Sequence, residues 1–296
     1  IFNLNKFLIE NSIDIIHAHG KGAGAIARIL LIFKKKPLIY TFHGIHLKCH
    51  NPLKRFFYIL YEYLLGGLDS KKVLVSNSEK KYAELERIYL GNKSIIINNG
   101  VSNKHKKGSL EIVEKYRNKL QSSKTNIVSL CRFVSQKNIM EIVKIARVVP
   151  DLNFIIIGDG PLFRDIKLFI KDIKIKNVNL LGEKKNIFKY LYSSDIYLST
   201  SLYEGLPISI LEAMSIGLPI VASNVIGNSD TIVNGKSGFL YELHNIDSAA
   251  NYLRMLAGSK ELRSKLGESA FIRQRRYFSK DLMISKYNKL YRKELI

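Results

Sequence analysis

The sequence predicts an α/β protein built from two doubly wound, Rossmann-like domains facing a cleft. Three features lead there. Short β-branched runs alternate with apolar helical patterns along nearly the whole chain, which makes parallel sheets covered by helices. The alternation stops between Ser102 and Lys124, where hydrophobic density falls and lysine density rises, and then restarts. The 296 residues are also enough for two cores of ordinary size. The expected boundaries are residues 1–103 for an N-terminal domain, 104–124 for a linker around a short helix at Leu110–Leu120, 125–278 for a C-terminal domain, and 279–296 for a closing helix.

In the first domain, strand Ile13–His19 ends in the glycine-rich Gly20–Gly24 and runs into helix Ala25–Phe33. Strand Pro37–Phe42 delivers His43 and Gly44 at its C-terminal end, where parallel sheets bind ligands. A helix over residues 52–67, strand Lys72–Ser76, helix Glu79–Ile88 and strand Ser94–Asn98 complete it. The second domain reads as strand Asn126–Leu130, helix Ile139–Val148, strand Asn153–Ile157, helix Leu162–Ile173, strand Asn177–Leu181, helix Ile187–Tyr192 and strand Ile196–Thr200. A loop with Glu204, a helix with Glu212 and strand Ile220–Ser223 follow. After Gly238-Phe-Leu240 the pattern is helical over Asp247–Leu256, Lys260–Arg275 and Lys280–Leu295.

The hydrophobic content of 46% and a mean hydropathy near zero fit a globular protein and not a disordered one. The net charge of +22 is first a consequence of a lysine-rich composition, and second a basic face for diphosphates or anionic lipid headgroups. Nucleic acid is not expected, because no zinc spacing or aromatic-glycine signature accompanies the charge. Cys49 and Cys131 are far apart, giving neither a disulfide framework nor a metal site and suiting a reducing cytosol. The most apolar stretch, Phe56–Leu68, is shorter than the ~20 residues of a span and contains Glu62, so it reads as an amphipathic helix, buried or at a membrane interface.

The stretch Ser201–Ser223 organises the rest. Gly205-Leu206-Pro207 opens a helix and Gly217-Leu218-Pro219 stops it. Its first turn suits a phosphate, while Glu204 and Glu212 flank that position with seven residues between them. Carboxylates repel phosphates, so their use is to accept hydrogen bonds from hydroxyls on either side of a diphosphate. Ribose on one side and a sugar on the other have that layout. Arg132 and Lys137, after the first strand of the second domain, would complete the diphosphate site. His43 is a further candidate, with His17 and His19 competing for its role. No carboxylate pair joins those histidines, so no metal site is expected. Gly158-Asp-Gly-Pro161 reads as a turn before it reads as a nucleotide contact.

Several of these motifs, in this order, resemble family-four retaining glycosyltransferases with the GT-B fold. Glu204-Gly-Leu-Pro-Ile-Ser-Ile-Leu-Glu212 is similar to that family's E-x7-E motif, and Ala213–Ser223, Arg132 with Lys137, Gly158–Pro161, Asn99-Gly-Val101 and Thr41–Gly44 also resemble it. The resemblance implies a nucleotide-sugar donor as substrate, UDP by default, and no cofactor or metal. It implies Glu212 on the ribose hydroxyls, Glu204 on the transferred sugar, Gly205, Leu206 and Pro207 lining phosphate and sugar, Arg132 and Lys137 on the diphosphate, and His43 reaching the donor sugar. It further implies retention by front-face departure and a closing helix that crosses back to the first domain. The acceptor is expected to be a glycan or lipid-linked hydroxyl in surface polysaccharide or glycolipid assembly. The lysine excess and Phe56–Leu68 add an anionic membrane surface as a partner, at the inner face of a cytoplasmic compartment. Two departures stand out. Asn138 occupies a position where the family favours glycine, and a first strand with a glycine-rich loop is expected before Ile1, leaving the N-terminal domain incomplete. A noncatalytic nucleotide-sugar-binding subunit or inactive fragment is the alternative, and a two-carboxylate glycoside hydrolase is weaker because it leaves the cations without an anion.

Overall fold

A computed structural model of the chain describes residues 2–32, 36–47, 51–103 and 124–295. The expected linker helix at Leu110–Leu120, nearly all of the 104–124 linker, and Cys49 lie outside the described residues. The chain divides into two units, residues 1–99 with 281–296, and residues 100–280.

The first unit holds α1 (Phe2–Glu10), β1 (Ile16–His19), α2 (Gly20–Leu31), β2 (Leu38–Thr41), α3 (Pro52–Leu65), β3 (Lys71–Leu74), α4 (Asn77–Leu85) and β4 (Ser94–Ile96). Its sheet is parallel in the order β1-β2-β3-β4. The β-branched runs form strands because a central parallel strand is covered on both faces, as β2 is at every residue. Pro52 starts α3 where its missing N–H costs nothing, and the Asn51 side chain caps that turn by accepting from Lys54 N–H. The last helix of the chain, Lys280–Glu294, belongs to this unit: Leu290 packs with Ile39, Val73 and Ile97, and Met283, Tyr287 and Tyr291 surround them. The closing helix thus returns to the first unit, as the resemblance implied.

Within Phe56–Leu68, Glu62 is fully buried and paired with Arg28 at 2.9 Å. Arg28 also holds Asp69 through two hydrogen bonds of 2.9 and 2.5 Å and lies against the Tyr40 ring. Leu53, Phe56, Phe57, Leu60 and Leu64 repeat at helical spacing on α3 and are exposed.

The second unit contains β5 (Asn126–Leu130), α5 (Ile139–Val148), β6 (Asn153–Ile157), α6 (Phe163–Asp172), β7 (Val178–Leu180), α7 (Phe188–Ser193), β8 (Ile196–Ser199), α8 (Ile208–Met214), β9 (Ile220–Ser223), α9 (Asn228–Thr231), β10 (Phe239–Tyr241), α10 (Ile246–Gly258) and α11 (Lys260–Tyr277). Strand β10 and the short α9 carry no clear sequence period, and the helix ends of this unit shift by a residue or two, whereas in the first unit α2 starts five residues before the expected Ala25, so that Gly20–Gly24 are helical and not a loop. The strand order is β10-β9-β8-β5-β6-β7, all parallel, so the winding reverses between β5 and β8. Ligands of such sheets bind in the crevice beyond the strand C-termini at that reversal. At the other end of the strands, Asn179, Asn153 and Asn126 form a side-chain ladder with bonds of 2.8 and 2.7 Å, ending in Asp195 on the Asn126 N–H. Gly100 faces the Ser279 carbonyl, where a Cβ would stand 2.4 Å from the oxygen, which is why the Asn99-Gly-Val101 motif needs a glycine.

Candidate functional site

The loops after β5 and β8 meet at the reversal point. Leu202 N–H donates to the Gln136 carbonyl at 2.8 Å, and the Gln136 side chain donates back to the Tyr203 carbonyl at 2.9 Å. Thr200 Oγ1 donates to the carbonyls of Lys137 and Asn138, both at 3.0 Å. These bonds fix Lys137 opposite Glu204, whose Oε1 accepts from Lys137 Nζ at 2.5 Å and from Ser201 Oγ at 2.7 Å. The side chains of this pair are 19% and 9% exposed, so it is screened from bulk water but open to a ligand. Beneath it a cavity of about 10 Å³, bordered by Ser129, Lys137, Tyr197, Ser201 and Ser209, has room for about one water.

Arg132 is exposed and makes no ion pair among the described residues. Its loop rests on the Gly158–Pro161 turn. At Gly158, with φ +139°, a Cβ would stand 1.9 Å from the Cys131 carbonyl oxygen, and Phe133 N–H donates to the Asp159 carbonyl at 2.9 Å. Those glycines therefore serve close backbone packing behind Arg132. The Cys131 thiol is pushed up to about 12, by burial first and further by the Glu204 charge, with Lys137 opposing, so it stays protonated at neutral pH.

Gly205, Leu206 and Pro207 are buried directly after Glu204. Pro207 is not in the first turn, as its spacing suggested, but is the extended cap residue at φ −74°, ψ 109°. The helix it precedes has only seven residues. Glu212, on the second turn, is half-buried and without an ion-pair partner among the described residues, and burial raises its pKa. That helix is less enclosed than its composition suggested, since Ile208 is exposed. Gly227, with φ +85°, packs against Glu204, where a Cβ would stand 2.9 Å from the Glu204 Cβ. Sequence reasoning missed Ser201, Thr200, Gln136 and Gly227. The serine three residues before Glu204 was the only available signal.

His43 lies in the first unit, just beyond β2, in the left-handed region at φ +58°. Its Nε2 is 2.7 Å from His19 Nδ1, while His17 Nδ1 meets Tyr291 OH at 2.7 Å and His17 Nε2 meets Thr41 Oγ1 at 2.8 Å. His17 is thus half-buried and held at both ring nitrogens, and His19 and His43 share one exposed pair. Burial lowers the pKa of His43, with the neighbouring His19 adding to it. No group of three or more metal-binding side chains exists among the described residues.

The second unit is thus a doubly wound α/β domain whose sheet reversal brings cations on one loop to a carboxylate on the other. The chain belongs to the glycosyl transferases group 1 family, whose description matches residues 112–273, and residues 1–104 match glycosyltransferase family 4. It is 30% identical to the UDP-Gal:alpha-D-GlcNAc-diphosphoundecaprenol alpha-1,3-galactosyltransferase of Escherichia coli, over 88% of this chain and 71% of that protein. It is 25% identical to the N-acetyl-alpha-D-glucosaminyl L-malate synthase of Bacillus anthracis, over 95% of this chain and 75% of that protein. Its fold is that of Anabaena HepE, solved with UDP and glucose (TM-score 0.88, 18% identity, 98% of this chain and 82% of that one). The same holds for sucrose-phosphate synthase from Thermosynechococcus elongatus (TM-score 0.88, 17% identity, 98% and 76%). The GT-B architecture expected from the motifs is therefore the architecture present.

Proposed function

We propose that this glycosyltransferase moves a sugar from a UDP-sugar to a hydroxyl of a glycan or lipid-linked acceptor, with retention and without a metal ion, in surface polysaccharide or glycolipid synthesis. The observation that carries this reading is the Lys137–Glu204 ion pair at the strand reversal, with exposed Arg132 beside the same loop. A diphosphate is a better partner for Lys137 than a single carboxylate, because two cations can share its charge. Once Lys137 turns to the diphosphate, Glu204, still held by Ser201, is free to accept hydroxyls of the transferred sugar. Glu212 then takes the ribose hydroxyls, with Gly205, Leu206 and Pro207 lining the phosphate and sugar. His43 serves the transferred sugar by family resemblance. The acceptor hydroxyl enters on the face the diphosphate leaves, and Arg132 and Lys137 stabilise the charge that develops there. The UDP-Gal donor and diphosphoundecaprenol-linked acceptor in the name of the Escherichia coli relative support the donor base and the acceptor class.

Glu212→Ala and Arg132→Ala are each expected to abolish UDP-sugar turnover while the circular dichroism spectrum is unchanged. Normal turnover in both overturns the assignment. Proton NMR of the glycosidic product reports retention, and full activity in EDTA reports metal independence. UDP binding without turnover of any donor would support the noncatalytic reading instead.

The exposed apolar stripe of α3 and the chain's +22 charge support a cytoplasmic enzyme working peripherally at the inner membrane face. No helix among the described residues is long and apolar enough to cross a membrane. Flotation with vesicles containing phosphatidylglycerol tests the membrane clause. Phe56→Ser/Phe57→Ser is expected to leave the protein at the bottom of the gradient, and equal flotation of this variant removes α3 as the contact.

A further inference from the structure

Asn138 follows Lys137 at the point where the family favours glycine, and its backbone is left-handed, at φ +47° and ψ +47°. That conformation is easy for glycine and disfavoured for any residue with a Cβ, asparagine being among the more tolerant. The side chain of Asn138 does not cap α5. Its Nδ2 donates instead to Glu141 Oε2 at 2.7 Å. Glu141 is 3% exposed and collects two further side chains: Tyr241 OH donates to Oε1 at 2.8 Å, and His244 Nδ1 is 2.8 Å from Oε2. Tyr241 and His244 come from the far end of the unit's sequence, so the carboxylate is anchored by β10 and the residues after it. The Asn138 carbonyl accepts from Glu141 N–H at 2.9 Å and from Thr200 Oγ1 at 3.0 Å. The turn that orients Lys137 is thus tied at its side chain to one buried acid and at its carbonyl to the loop of Glu204.

We infer that Glu141 is a positioning residue of the donor site, holding Asn138 in the left-handed turn that aims Lys137 and so replacing with a hydrogen bond the backbone freedom a glycine would provide. The inference rests on the reading of Lys137 as a diphosphate ligand. Glu141 touches no substrate and acts only through the turn. A buried acid that merely ties Tyr241 and His244 into the core is the rival account, and the two differ in what a glycine at position 138 does.

The test titrates UDP, GDP and ADP into wild type by calorimetry and follows the tightest binder through the variants, with melting curves alongside. Glu141→Ala is expected to weaken that nucleotide about fivefold to tenfold and to lower Tm. Adding Asn138→Gly to Glu141→Ala is expected to return the affinity to within about twofold of wild type without restoring Tm, because glycine adopts the turn unaided. A double variant that binds no better than Glu141→Ala overturns the inference. Should Glu141→Ala fail to fold, Asn138→Val keeps Glu141 on Tyr241 and His244 but disfavours the turn, and is expected to weaken binding to a similar extent. Wild-type affinity in Asn138→Val also overturns the inference. A wild-type chain that binds none of the three nucleotides overturns the donor reading and this inference with it.

Discussion

Arg28 in the first unit and Lys137 in the second are both cations paired with carboxylates, yet their surroundings differ. Arg28 is fully buried, uses a fork of hydrogen bonds on two acids, and stacks on aromatic rings. Lys137 holds one acid and keeps a fifth of its side chain in solvent. The Arg28 cluster is closed to solvent on all three charged side chains, although Arg28 Nη1 and Glu62 Oε1 have no hydrogen-bond partner among the described residues. The Lys137 pair is a single contact at a strand reversal, and a ligand carrying more negative charge than Glu204 can replace it. The difference teaches that a buried ion pair is a candidate binding site only where a ligand can reach it.

Arg28→Ala should break the comparison from the structural side. It leaves Glu62 and Asp69 buried without their cation, and loss of one partner of a buried network costs about 3–5 kcal/mol. The expected outcome is a large fall in the urea midpoint of unfolding. A fall below about 1 kcal/mol would make the cluster no more than a surface-like pair. Glu204→Gln and Lys137→Met sharpen the other side. Removing a group that stabilises developing charge typically costs about a hundredfold or more in rate, so both variants should lose turnover by at least that much. Their melting temperatures should move less than that of Arg28→Ala, since Glu204 keeps its bond from Ser201 and Lys137 keeps part of its side chain in solvent. Equal stability losses in the two units would erase the distinction.

How far the sequence reached follows the same division. Strand and helix positions were legible where β-branched runs are buried on both faces, as in β5, β6 and β9, whose ends match the expected residues. Strand β10 was not, because its three residues carry no period. In the second unit the strand-end positions of Arg132, Lys137 and Glu204 were legible in the sequence because the order of strand, loop and charge is a local property. Ser201, Thr200, Gln136 and Gly227 were not, since their value lies in loop-to-loop contacts that sequence spacing does not encode. The partner of Glu62 was not legible for a related reason: Arg28 is thirty-four residues away on another helix. Asn138 was visible in the sequence as a departure from glycine, but its contact with Glu141 was not.

The smallest expected effect separates the histidines of the first unit. His17 is held neutral between Tyr291 and Thr41, and its pKa falls from 6.5 to about 4, through burial first and then through the charges of His19 and His43. The folded value lies below the unfolded one, so between about pH 6.5 and 4 the unfolded chain binds more protons. Stability therefore rises with pH across that window and is lost as pH falls through it. Carboxylates contribute in part of the same range, so the informative quantity is a difference: the urea midpoint of wild type minus that of His17→Asn, followed from pH 7 to pH 4.5. The variant has no ring to protonate, so its midpoint should fall less steeply on acidification and the gap should narrow. His19 and His43 lie at the exposed end of the cluster, where solvent weakens such effects, and His19→Asn should follow the wild-type slope more closely. If His17→Asn and wild type fall in parallel, the half-buried His17 contacts do not depend on its charge.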